Sequence, residues 1–318
     1  MTTTTVPKAT LWQRVRPWLE IQELYKHPVS QLPYILGAVL AWRLGGPLDW
    51  GMFLMGMVAL FLITDGTYVS NEYFDYENDS ANDTRIGGSH QVGVTTTGGT
   101  RVLVQGLIAR RHALIFAAAC MILAVPIGLW MQFRMGAGPL TLPLGALGIF
   151  VGWFYSSPPI RAAYRGWGET FMAFGYGLIV FGSYYVQHGV SVVPLIVSLP
   201  WAVAIPALKI LREFPDYDAD VATGKRNLTV QFGRQKMAVA YSVLIAVSIL
   251  LLAPVAGMVS APALLALAVP IVLLVRSVIP MVRGEWRDKA RLEAAATSGF
   301  IGMLLIPLAL TVTFLIGG

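Results

Sequence analysis

Nine stretches of this chain are apolar for long enough, or nearly long enough, to cross a lipid bilayer. They lie at about 29–45, 50–72, 112–132, 138–156, 168–187, 190–211, 236–256, 260–281 and 293–316. A crossing helix needs roughly 18–20 mainly apolar residues. The first stretch is short and holds Pro28 and Pro33. Composition points the same way: 56% of residues are hydrophobic and 13% charged, with a mean hydropathy of +0.64. A soluble domain carries about 25% charged residues. The opening Met1–Val6 is polar and Thr-rich with no apolar run behind it, so no cleavable signal peptide is expected. The one cysteine, Cys120, permits no intrachain disulfide and reads as packing.

Charge tests the count of crossings. Nine crossings put the N-terminus and the loops 73–111, 157–167, 209–236 and 276–292 on one side. Of the 23 Lys and Arg, all but Arg43 and Arg134 fall in those segments. Basic residues mark the cytoplasmic side. The net charge of +6 thus reflects topology and a small polyanionic substrate; basic residues spread over five segments, with no binding motif, argue against nucleic acid. Residues 11–25 alternate Leu11, Trp12, Val15, Trp18, Leu19 and Leu24 with Arg14, Arg16, Glu20 and Glu23, as an interfacial amphipathic helix does. Two units follow: an N-terminal tail with this helix over 1–27, and a membrane domain over 28–318.

The acidic residues gather on that same side. Asn71, Asp75 and Asp79 are spaced i, i+4, i+8, which stacks three oxygen donors on one helix face. Asp216 and Asp220 repeat the i, i+4 step after another apolar stretch. Mg²⁺ takes oxygen ligands octahedrally and commonly borrows some from phosphates. Two facing ladders could hold two Mg²⁺ ions on one diphosphate and ease its departure from carbon. Lys209, Arg212, Lys225 and the loop arginines Arg85, Arg161 and Arg165, with Tyr155, are candidates to complete the anion site. Aromatic faces could stabilise an electron-deficient carbon left behind. An acidic cluster by itself is often only a solvated helix end; two with matching spacing on one side are not explained that way.

Asn71-x-x-x-Asp75-x-x-x-Asp79 resembles the first signature of the UbiA superfamily of intramembrane prenyltransferases. Asp216-x-x-x-Asp220, continued by Gly224-Lys225-Arg226-Asn227-Leu228, resembles the second. Gly98–Ile108, Tyr155–Arg161 with Tyr164-Arg165-Gly166, and Phe214–Tyr217 are similar to the branch of 1,4-dihydroxy-2-naphthoate prenyltransferases, enzymes of menaquinone biosynthesis. The resemblance runs from about Pro28 to the C-terminus. It implies an all-helical fold, Mg²⁺ dependence, a polyprenyl diphosphate donor and a lateral opening to lipid. The expected fold class is therefore all-α integral membrane: nine transmembrane helices around a central cavity with cytoplasmic cap loops, in the cytoplasmic membrane of a prokaryote. The expected reaction transfers a polyprenyl group to an aromatic acceptor, 1,4-dihydroxy-2-naphthoate by resemblance. Rival acceptors are 4-hydroxybenzoate, homogentisate, a carotenoid end or a glycerol phosphate ether; rival activities are terpene cyclisation and ion-coupled transport.

The chain departs from that branch at Tyr68, where naphthoate enzymes usually place Asn, and at Asp65, where they have no acid. Asp65 is ionisable within a crossing, so function is its first reading: acceptor orientation or proton acceptance alongside the catalytic Asp75 and Asp216. Glu72, Glu77 and Asp218 fall off the ladder face and read as solvated. Glu169 reads as a helix N-terminal charge, and His27, His90, His112 and His188 show no metal-ligand spacing.

Overall fold

The computed structural model describes residues 10–81 and 100–317, all of them in helices, turns or loops, with no strand among them. Each of the nine apolar stretches falls on helix. The elements are α1 (Leu11–Ile21), α2 (Pro28–Gly45), α3 (Trp50–Phe74), α4 (Tyr76–Ala81), α5 (Arg110–Phe133), α6 (Thr141–Ser156), α7 (Gly168–His188), α8 (Val193–Ala222), α9 (Leu228–Phe232), α10 (Arg234–Leu250), α11 (Ala253–Ala256), α12 (Ala268–Val282) and α13 (Lys289–Gly317). Among the described residues, six segments are long and apolar enough to cross a membrane: α3, α5, α8, Arg234–Ala256, Ala261–Val282 and α13. α6 is apolar but has only 16 residues. α2 carries Ser30, Gln31 and Arg43, and α7 carries Glu169 and three tyrosines, so neither joins the six.

Consecutive long helices pack side by side, and α13 returns against α2 to close a ring. The ring is pinched. α2 also packs on α7, and α13 on α8, across its middle. At the first crossing the backbones meet closely: a Cβ on Gly37 would lie 2.3 Å from the Val180 carbonyl, and Ser183 donates to the Tyr34 carbonyl at 2.6 Å. Small residues at helix crossings allow such approach in the absence of a hydrophobic drive between helices in lipid. The pinch divides the bundle. One half, built on α8, α10, α12 and α13 with the inner faces of α2 and α7, is solid, with Trp201, Tyr241, Phe214, Leu274 and Met303 fully buried. The other half, walled by α2, α3, α5, α6, α7 and α8, is hollow. Outward faces stay apolar, as Leu54, Ile122, Val243 and Val272 illustrate, which suits contact with acyl chains.

Four connections meet at one end of the bundle. Thr100 bonds Glu72, the Arg226 amide donates to the Tyr164 carbonyl at 2.9 Å, and Trp286 packs edge-on to Phe214 at 5.5 Å. These are the connections that hold the basic residues. α1 opens on a capping box in which Thr10 and Gln13 exchange hydrogen bonds. It seats Trp18 on Phe116 while Leu11, Trp12, Val15 and Leu19 stay exposed, the asymmetry its pattern predicts.

Candidate functional site

The first acidic ladder is not one uninterrupted helix. α3 ends at Phe74, Asp75 sits at φ −91°, ψ 2°, and α4 begins at Tyr76. The i→i−4 bonds nevertheless run through the break: the Asp75 amide donates to the Asn71 carbonyl and the Asp79 amide to the Asp75 carbonyl, both at 2.8 Å. Asn71, Asp75 and Asp79 therefore keep the stacking that their spacing requires, and all three line the cavity.

The second ladder extends α8 past its apolar run to Ala222, beyond the stretch read as crossing. Its polar end is held by partners from elsewhere in the chain. Asn78 of α4 donates to Asp220 Oδ1 at 2.9 Å and to Thr223 Oγ1 at 2.7 Å, and Asn227 donates to Asp220 Oδ2 at 2.6 Å. Asn78 thereby ties the two ladders together. α8 stops in a Schellman turn: Gly224 takes φ +70°, its amide reaches Val221, and the Lys225 amide reaches Asp220. The turn folds Lys225 back so that its Nζ lies 3.5 Å from Asp220 Oδ1. Burial works against that ammonium, but Asp220, and Asp75 behind it, hold its pKa above the ordinary lysine value. Tyr164 leans over the same mouth. Its hydroxyl donates to Asp75, and burial together with that carboxylate pushes the phenol above its ordinary pKa.

Two observations bear on a cation. Asn71 Oδ1 and Asp75 Oδ1 are buried with no hydrogen-bond partner among the described residues. Buried acceptors left in that state cost free energy unless something fills them. Against this, no three His, Cys, Asp or Glu side chains among the described residues converge as a ready metal cage. The ladders thus fit a hard cation that takes a few protein oxygens and finds the rest on a ligand, as Mg²⁺ does beside phosphates.

The cavity holds about 690 Å³, within the usual range for ligand sites. Its polar end carries both ladders with Arg212, Lys225 and Tyr155; away from them the wall turns to Leu60, Ile63, Val125, Leu142, Ile179 and Val186. Gly145 of α6 and Gly182 of α7 face open space within it.

Other expected site residues are placed differently. Lys209 lines the cavity but is gripped by two carboxylates: Glu169 at 3.0 Å and Glu213, one turn on in α8. Glu213 in turn accepts from Thr229 Oγ1 at 2.6 Å. Asp65 is not part of the cavity wall. It turns to α5, where Cys120 Sγ lies 3.7 Å from Oδ2, and His27 Nε2 lies 3.8 Å from Oδ1. Arg161 and Arg165 also lie off the wall; Arg161 stacks at 3.9 Å on the Tyr164 ring, and Arg165 is exposed. Glu77 and Asp218 are exposed as expected, but Glu72 is buried and accepts from the Thr100 amide at 2.8 Å. Arg85, His90 and Gly98-Gly99 fall outside the described residues.

Sequence reasoning missed Glu23 and Lys26. Both belong to the segment assigned to the N-terminal tail, yet both are buried, paired with each other, and set in the cavity wall. Burial pushes the Lys26 pKa below its ordinary value, against the pull of Glu23. Their i, i+3 spacing was the only available signal.

Comparison with known proteins supplies the context. A curated relative, the 1,4-dihydroxy-2-naphthoate octaprenyltransferase of Bacillus subtilis, is 25% identical over 229 residues. That match takes in 71% of this chain and 66% of the relative, just under two thirds of its length. UbiA prenyltransferase domain-containing protein 1 of Danio rerio is 25% identical over 239 residues, or 74% and 65% of the two chains. Among solved structures, a digeranylgeranylglyceryl phosphate synthase superposes with a TM-score of 0.66 at 17% identity, covering 95% of this chain and 99% of that one. A UbiA homologue from Archaeoglobus fulgidus, solved with GPP and Mg²⁺, superposes at 0.61 and 16% identity, covering 94% and 100%. At such identities the structures speak for the fold. The sequence profile of the UbiA prenyltransferase family matches residues 31–304, and the chain belongs to that family.

Proposed function

We propose that this protein transfers a polyprenyl group from an allylic diphosphate to an aromatic acceptor inside the bilayer, with 1,4-dihydroxy-2-naphthoate as the acceptor. The observation that carries this reading is the cavity's polarity: two oxygen ladders at one end, the first with orphaned acceptors at Asn71 and Asp75, and an apolar chamber beyond. A diphosphate bearing a hydrocarbon tail has that same polarity. The naphthoate acceptor rests on the Bacillus relative's activity, and the cation on the Mg²⁺ bound to the Archaeoglobus homologue.

Asn71, Asp75, Asp79, Asp216 and Asp220 would hold Mg²⁺, two ions by the pairing of the ladders. The metal, when bound, neutralises charge on the departing diphosphate. Arg212 and Lys225 add fixed positive charge at the same mouth, and Tyr164 orients Asp75 through its hydroxyl. Asn78 and Asn227 fix Asp220, so the second ladder is set before ligand arrives. Walls of α5, α6 and α7 exclude water from the reacting carbon. We assign α2, α6 and α7 to the membrane beside the six longer segments, for nine crossings in a prokaryotic cytoplasmic membrane with the ladder end cytoplasmic. Ion-coupled transport fits poorly, because its sites lie near the bilayer midplane and these carboxylates gather at one end.

The test is product analysis. Purified protein in lipid is given labelled geranylgeranyl diphosphate and 1,4-dihydroxy-2-naphthoate, with Mg²⁺ or with chelator. Mg²⁺-dependent prenylated dihydroxynaphthoate, or the naphthoquinone that its decarboxylation and oxidation in air yield, is expected. Donor consumption without that product would reject the acceptor and point to another acceptor or to cyclisation; no consumption with any prenyl length would reject the transferase reading. Tail length is open to a second check. A phenyl ring placed by Gly145→Phe or Gly182→Phe projects into open cavity. Each is expected to favour shorter donors over geranylgeranyl diphosphate by about tenfold or more, since overfilling a packed space costs roughly 1–3 kcal/mol. Relative kcat/KM for geranyl and geranylgeranyl donors reads this directly.

A further inference from the structure

Glu23 and Lys26 sit between an interfacial helix and the start of α2, yet they are 5% and 7% exposed. A buried ion pair is roughly neutral for stability, so the fold gains little by holding it there. Glu23 also adopts φ +47°, a left-handed conformation that costs a non-glycine residue on the order of 1 kcal/mol. The Lys26 ammonium lies 5.9 Å from the centre of the Tyr68 ring. The Tyr68 hydroxyl reaches the Lys26 carbonyl at 3.4 Å and meets the Tyr176 hydroxyl, from α7, at 3.2 Å. All four residues line the cavity.

Their depth is informative. Tyr68 precedes Asp75 by seven residues, so it lies on nearly the same face of α3, about 10 Å further in. The reacting carbon of an allylic diphosphate is bonded to the diphosphate itself. An attacking ring must come within about 3–3.5 Å of that carbon. The ring's far-side oxygen then falls at the level of Tyr68, not at the ladders.

We propose that Glu23, Lys26, Tyr68 and Tyr176 form the acceptor subsite and select a hydroxylated aromatic. This rests on the transferase reading above. The acceptor hydroxyl lies beside the paired Tyr68 and Tyr176 hydroxyls, on the side of the Lys26 ammonium, and its proton passes to the Glu23 carboxylate. The phenolate so formed faces Lys26, and the local charge is unchanged. Its electron-rich ring carbon forms the new bond to C1 of the prenyl group as the C1–O bond breaks and its electron pair leaves with diphosphate. The ring carbon's own proton then departs to the diphosphate, and Glu23 returns its proton to the acceptor oxygen. One C–O bond is exchanged for one C–C bond, and no oxidant is needed.

The experiment compares Glu23→Gln, Lys26→Met and Tyr68→Phe with the parent, using 1,4-dihydroxy-2-naphthoate as acceptor and Mg²⁺ throughout. Glu23→Gln is expected to lower kcat by about 10²–10⁴-fold, the range of a lost general base, while Glu23→Asp recovers part of it. Lys26→Met and Tyr68→Phe are expected to raise the acceptor KM about tenfold or more. Affinity for geranylgeranyl thiolodiphosphate, a non-reacting donor probe, should stay within about twofold in all variants. Unchanged acceptor KM and kcat would overturn the subsite, as would loss of donor-probe binding in step with activity. A parent protein that consumes no donor would instead sink the transferase reading itself. Tyr68→Phe removes one oxygen from a half-buried ring, so it keeps the test open should a charge variant fail to fold.

Discussion

Asp75→Ala is expected to cut prenyl transfer by about 10³-fold or more while leaving the fold intact. Asp75 lies in the middle of the first ladder, where α3 gives way to α4, and its Oδ1 is buried with no hydrogen-bond partner among the described residues. That oxygen contributes nothing to folding, so the substitution should cost only the bond from Tyr164 and the support of Lys225, on the order of 1 kcal/mol, and shift the melting temperature little. Its contribution belongs to the ligand-bound state: a ligand to the cation that neutralises a leaving diphosphate is worth several kcal/mol in the transition state, or a thousandfold and upward in rate. Tyr164→Phe, which removes only the hydroxyl that donates to Asp75, should cost about tenfold. Initial rates over a Mg²⁺ titration, with melting curves in the same lipid, make the comparison. Retention of a tenth of the parent rate by Asp75→Ala would mean that this ladder does not hold the reacting diphosphate.

The second large effect is on stability. Lys209→Met is expected to destabilise the protein by about 3–5 kcal/mol. Lys209, Glu169 and Glu213 are 7%, 5% and 6% exposed, and the single ammonium serves both carboxylates. Removing it strands two acids in a medium that solvates charge poorly, the circumstance in which breaking a buried pair is most damaging. Glu169→Gln in the Lys209→Met background should recover part of the loss, because it removes one of the stranded charges. Thermal unfolding in lipid nanodiscs reads both. A Lys209→Met protein that melts with the parent but no longer transfers would return Lys209 to the diphosphate site, the role that its position two turns before Asp216 suggests from sequence.

That contrast shows where sequence reasoning stops. The nine apolar stretches fall on helices because length and apolar composition are local properties. The ladders stack as read because i, i+4 spacing constrains side chains even through the break at Asp75. Partnership across the chain is not local. Nothing near Lys209 announces that Glu169, forty residues earlier, will close on it, or that Thr100 will hold Glu72 away from water. Asp65 is an instructive case. Ten residues from Asp75, it is rotated by roughly 80° on an ideal helix, enough to carry it from the cavity wall to Cys120 of α5. Glu23 and Lys26 were masked by their setting, since a charged pair next to an amphipathic helix ordinarily reads as its solvated side.

The pinch between α2 and α7 has a consequence for how such a chain can change over generations. Most of the dense packing lies behind it, in the half built on α8, α10, α12 and α13. The hollow half contributes fewer buried contacts, and a side chain begun at Gly145 or Gly182 would meet nothing. Substitutions there should seldom reach the residues on which folding depends. A lineage can therefore try new hydrocarbon lengths and new ring shapes by altering α5, α6 and α7 while the packed half keeps the protein folded. In this architecture the freedom to acquire new substrates and the requirement to remain stable are assigned to opposite sides of one helix crossing.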